Sequence, residues 1–134
     1  MKTYLIAFFG ALVPMLILDG IWLSLTIRKF YGKYVGDLMA STPSLVPAAL
    51  FYPLYIIGLL VFVILPSLKG EIGLGKVFLY GGLFGLVAYG TYDLTNQATL
   101  RNWSAIVTVV DMAWGACITG LASLIAVHVT RLWS

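Results

Sequence analysis

Residues 3–27 read TYLIAFFGALVPMLILDGIWLSLTI, an apolar run broken by a single charge, Asp19. A bilayer is crossed by about 20 apolar residues rising about 1.5 Å each, and this run is long enough to do so as a helix. Lys2 and the residues after it have the outline of a secretory signal. The apolar character continues to Ile27, however, with no small-residue cleavage pattern behind it, so the run reads as a retained first span. Composition carries the same message along the whole chain. Of 134 residues, 61% are hydrophobic and 10% charged, with a mean hydropathy of +1.01, whereas a soluble domain carries about a quarter charged residues. The outer surface therefore faces hydrocarbon.

Three more segments qualify as spans, at about 45–65, 76–95 and 103–128. Lipid offers no partner to open backbone groups, and four segments cannot close a barrel, so each must be a helix. The predicted fold is all-α: one integral membrane domain over residues 1–134, built as a polytopic four-helix bundle. Tyr4, Trp103 and Trp133 suit the headgroup zone at the span ends. Between the first two spans, Ile27, Phe30, Tyr31, Tyr34, Val35, Leu38 and Met39 recur every three or four residues, with Arg28, Lys29, Lys33 and Asp37 between them. That spacing predicts a short amphipathic helix lying in the interface. In the third span, Gly81 and Gly85 have the separation that lets membrane helices approach closely.

The charged residues exclude several functions. Eight basic residues scattered along the chain make no dense patch, so nucleic acid is not a partner. The lipid bilayer is, with weak attraction to anionic headgroups. Cys117 stands alone, which rules out an internal disulfide and a thiolate metal site. The only histidine, His128, falls at the end of the fourth span away from every intramembrane carboxylate, which removes histidine-held zinc and Ser–His or Cys–His catalysis. Orientation is not set by charge. The side holding both termini carries Lys2, Lys69, Lys76 and Arg131; the other carries Arg28, Lys29, Lys33 and Arg101. The positive-inside rule is balanced.

Asp19 is not the only carboxylate inside an apolar segment. Asp111 lies in VTVVDMAWGACIT three residues before Trp114, as Asp19 lies before Trp22, and Asp93 closes the stretch YGTYD. Counting from the middle of each span, all three fall on the side away from the termini, at one level about 6–9 Å from the midplane. Polar and small residues share their faces: Met15, Asp19, Trp22 and Thr26; Gly82, Gly85, Tyr89, Tyr92, Asp93 and Asn96; Ser104, Thr108, Asp111, Gly115, Thr119 and Ala122. Such stripes point into a bundle, with Tyr52 and Tyr55 of the second span completing the wall. Each buried carboxylate costs about 2.5–3.5 kcal/mol even on the lenient insertion scale. Three together require retained protons or a bound cation, with Arg101 as the nearest internal counter-charge. Asp19, Asp93, Asp111, Trp22, Trp114, Tyr89, Tyr92, Asn96 and Arg101 are the candidate binding residues. The three aspartates are also the oxygen ligands a divalent cation would require.

The motifs LDGIWL, YGTYDLTNQATLRNW and VDMAWGA, in this order, resemble a family of small bacterial membrane proteins catalogued as a domain of unknown function. The resemblance covers nearly the whole chain and implies four helices in a bacterial inner membrane. It implies no reaction. Three functional readings follow from the residues. The first is a carrier or binding protein whose aspartates take up a proton, a cation or a small cationic ligand, with a homodimer completing a pathway. The second is a membrane-embedded enzyme acting on a lipid or amphiphile by carboxylate acid–base or divalent-metal chemistry. The third is an accessory protein whose acidic cluster is structural.

Overall fold

The computed structural model describes residues 1–134. It is helical throughout: α1 (Lys2–Thr26), α2 (Gly32–Val35), α3 (Leu45–Leu59), α4 (Leu65–Leu68), α5 (Leu74–Thr99) and α6 (Ala105–Trp133). Wide π turns at Ile27–Tyr31 and Leu60–Ile64 join α1 to α2 and α3 to α4 without a break, and a 3₁₀ turn ends the first run at Gly36–Leu38. Four continuous helices of membrane-crossing length and hydropathy result: Lys2–Leu38, Leu45–Leu68, Leu74–Thr99 and Ala105–Trp133. The chain is a multi-pass membrane protein with a four-helix fold.

All four expected spans are present, and most run past their apolar limits. Polar residues such as Asn96 and Gln97 end hydrophobicity without ending a helix whose backbone bonds remain satisfied. The segment after Ile27 is helical, as its spacing predicts, but it is not a separate helix set off from the first span. Thr26 (φ −117, ψ −20) and the following π turn carry the helix onward, and Thr26 Oγ1 donates to the Trp22 carbonyl at 2.7 Å. The extra residue in a π turn shifts the facing of everything after it. Here that brings Val35 into the interior.

Helix α6 lies at the centre, packed against α5 on one side and α1 on the other. Small residues set both distances. Ala7 and Ala11 are fully buried on α1, as are Ala122 and Ala126 on α6. A Cβ added at Gly10 would lie 3.3 Å from Ala126 Cα. On α5 a Cβ at Gly81 would meet Ser123 and Gly120, and one at Gly85 would run into the Gly115 carbonyl and Thr119. The close approach predicted from the Gly81–Gly85 spacing is therefore present. Outward positions are taken by Leu5, Phe9, Ile17, Leu54, Phe62, Leu83, Val87 and Val109, all exposed to what would be hydrocarbon.

Candidate functional site: an acidic, aromatic cavity

Two Asp-x-x-Trp segments meet where α1 crosses α6. The helices are antiparallel: Thr3 bonds Ser134 at 2.6 Å, Gly10 faces Ala126, and Trp22 stacks on Trp114 with ring centroids 4.4 Å apart and planes 8° from parallel. The two motifs then exchange donors. Trp114 Nε1 donates to Asp19 Oδ1 at 3.1 Å. Trp22 Nε1 donates to the Tyr31 hydroxyl at 3.0 Å, and that hydroxyl donates to Asp111 Oδ1 at 2.6 Å. Each tryptophan thus serves the other helix's carboxylate, one directly and one through a tyrosine. Tyr52 from α3 donates to Asp19 Oδ2, and Tyr55 bonds Thr119 at 2.8 Å.

Asp93 is different. It is fully buried (0% exposed), and neither carboxyl oxygen has a hydrogen-bond partner. Only its backbone carbonyl is engaged, accepting from Thr108 Oγ1 at 3.4 Å, while that same Oγ1 accepts from Trp103 Nε1 at 3.0 Å. The polar group facing it is the Asp111 carboxyl, and two carboxyls bond only through a proton held between them, so the pair requires a proton or a cation.

The interhelix contacts fix the heights of the three carboxylates. Gly10 opposite Ala126 and Trp22 opposite Trp114 place Asp111 roughly six residues, or about 9 Å, beyond Asp19 along the axis. Gly81 against Ser123, Gly85 against Thr119 and Tyr89 against Gly115 form a ladder whose next rung sets Asp93 opposite Asp111, at the same height. Asp93 and Asp111 thus share the one level that the span counts predicted, and Asp19 lies about 9 Å away from them along the axis. Yet all three share one cavity of about 350 Å³, lined by 14 residues that include Asp19, Asp93 and Asp111. Trp22, Tyr31, Tyr89, Tyr92 and Trp103 give it aromatic walls, and Val35, Leu38 and Met39 cover it. None of the lining residues is Lys, Arg or His.

Of the residues singled out from sequence, Asp19, Asp93, Asp111, Trp22, Tyr89 and Tyr92 line this cavity, and Trp114 supports it from behind through Asp19. Asn96 and Arg101 do not line it. Leu100 is extended (φ −101, ψ 145) and Asn102 is left-handed (φ 62), a turn that leaves Arg101 exposed. The expected counter-charge is thus outside the site. The three aspartates do not form a metal-holding set either: no group of three His, Cys, Asp or Glu side chains stands close enough for that. The stagger along the axis is the reason. Tyr31 was not among the candidates, because it looked like one more apolar position of an interfacial helix. Nine residues past Trp22 an unbroken α-helix would face it the other way, and the π turn at Ile27–Tyr31, which the sequence does not announce, changes that facing. Trp103, expected at the headgroups, is instead half-buried in the cavity wall.

A family described as "Predicted membrane protein (DUF2177)" matches residues 4–128. No curated protein and no solved structure matches the chain.

Proposed function

The chain belongs to the DUF2177 family of predicted membrane proteins, and we propose that it is a cation- or proton-binding protein of carrier type, working through the acidic cavity within the bilayer. One observation carries this reading: three carboxylates line a single cavity to which the protein contributes no basic side chain. Charge buried at low dielectric must be balanced nearby, because two like charges a few ångströms apart repel there by several kcal/mol. The positive charge therefore comes from protons or from a bound cation, and exchanging the two is what a carrier does. Asp93 and Asp111 are the groups most in need of such a charge, since they face each other, whereas both oxygens of Asp19 accept protein donors. Asp19 and the Asp93–Asp111 pair supply two stations about 9 Å apart. The resemblance of the motifs to a bacterial family supports a place in the bacterial inner membrane.

The test is a difference titration. Wild type and the Asp19→Asn/Asp93→Asn/Asp111→Asn variant, both in lipid nanodiscs, are titrated with acid and base, and bound protons are counted. The proposal expects wild type to exchange protons with solution that the variant does not. Superimposable curves from two folded proteins would make the carboxylates inert anchors and end the proposal.

A further inference from the structure

Resting on the cation-binding reading, the geometry points to a more specific occupant: a lipophilic organic cation, with an ammonium head on an aromatic body, that enters sideways from the bilayer between the second and third spans. Three independent features lead there.

The first is the wall. Eleven of the 14 lining residues are hydrophobic, so an inorganic ion would lose its hydration shell without gaining a set of oxygen ligands, as no three acidic groups converge. An ammonium on an apolar body loses little water, and it is attracted to the faces of Trp and Tyr. The second is the Asp93–Asp111 carboxyl pair, which lines the cavity with no basic side chain beside it. It is placed to receive the charged head.

The third is the route. A second cavity of about 310 Å³ is lined by Phe51 and Tyr55 of α3, Ala88, Tyr89 and Tyr92 of α5, and Asp111. It shares Tyr89, Tyr92 and Asp111 with the first, so these residues form the partition between the two. Its rim lies on the lipid-facing surface, where Phe51 is 46% and Tyr92 57% exposed. The Tyr89 ring lies directly against Gly115, where any Cβ would displace it. On its other side the first cavity is walled by the Ile27–Leu38 extension, with Tyr31 tied to both Asp111 and Trp22. An amphiphile dissolved in the bilayer and entering by this route meets Asp111, with Asp93 beside it.

The full chain in phosphatidylcholine nanodiscs is titrated with benzyltrimethylammonium and with tetramethylammonium, followed by tryptophan fluorescence, since Trp22 and Trp103 line the cavity. The aromatic cation is expected to bind saturably, about tenfold more tightly than tetramethylammonium, and to lose about tenfold in affinity in Asp93→Asn/Asp111→Asn. Filling the second cavity with Ala88→Phe is expected to slow association and dissociation alike, by about tenfold, with affinity unchanged. Phe51→Trp, at the exposed rim, provides the same obstruction should Ala88→Phe fail to fold. No binding, or equal binding of the two cations, overturns the lipophilic occupant, and unchanged rates in a folded rim variant overturn the lateral route. Both results leave cation or proton binding standing if the aspartates still exchange protons. If wild type and the triple Asn variant titrate identically, the underlying reading falls as well.

Discussion

Replacing Tyr31 by Phe removes one oxygen atom and two hydrogen bonds while keeping the ring. The hydroxyl donates to Asp111 at 2.6 Å and accepts from Trp22 at 3.0 Å, so its loss leaves the carboxylate one donor short and the half-buried indole N–H without a partner. Hydrogen bonds within membrane proteins average about 0.6 kcal/mol and reach about 1.7. The bond to Asp111 belongs near the upper figure, because its acceptor is an ionisable group and the contact is short. The bond from Trp22 is neutral and belongs near the mean. Tyr31→Phe should therefore destabilise the fold by about 2 kcal/mol, with no packing term to obscure it. Unfolding in mixed micelles, followed by tryptophan fluorescence, measures this directly. A double-mutant cycle with Trp22→Phe should return a coupling of about 0.6 kcal/mol. Amide exchange should quicken in Ile27–Leu38 and stay unchanged in α5 and α6. Destabilisation below about 0.5 kcal/mol, with exchange in the extension unaltered, would show that Tyr31 does not hold this segment over the cavity.

Gly85→Ala drives a Cβ onto the Gly115 carbonyl and Thr119, which cannot rotate away, and should cost about 1–3 kcal/mol or more in the same unfolding assay. Gly20→Ala has nothing within 4 Å and should instead stabilise the helix, by about 0.5–1 kcal/mol. Asp93→Leu should raise stability by about 1–3 kcal/mol by removing one of two adjoining buried carboxyls, and it should weaken cation binding; a loss of both together would contradict the assignment. A cycle of Trp22→Leu and Trp114→Leu should yield about 0.5–1.5 kcal/mol of coupling from the stacked rings, while additive losses would mean that the stack contributes nothing.

The sequence made the architecture legible because each determinant is local. Four apolar runs specify four crossings, the Gly81–Gly85 spacing specifies where α5 meets α6, and the period of small and polar residues specifies which faces turn inward. Met15 and Asp19 on α1, Asp93 on α5 and Thr108, Gly115 and Thr119 on α6 are all buried on those faces. Heights were less legible. They depend on the sliding register between helices, which is set by one Trp–Trp stack and a few glycine contacts far apart in the chain. Span ends judged by hydropathy carry errors of several residues, enough to bring Asp19 falsely level with Asp93 and Asp111. Tyr31 was hidden for a related reason: Arg28 and Lys29 end the apolar run, but a π turn carries the helix across them. Arg101 misled in the opposite sense. It follows Asn96 closely in sequence, but the extended Leu100 and left-handed Asn102 put it on the outside of the turn.

The central claim is that the three carboxylates share one electrostatic site, and additivity tests it most directly. Proton-binding curves are recorded in nanodiscs for wild type, for Asp19→Asn, Asp93→Asn and Asp111→Asn singly, and for the triple variant. If the groups share the cavity, removing one shifts the titration of the others, and the three single-variant differences will not sum to the triple difference. If the differences do sum within error, the aspartates titrate as strangers, and the shared acidic cavity is contradicted.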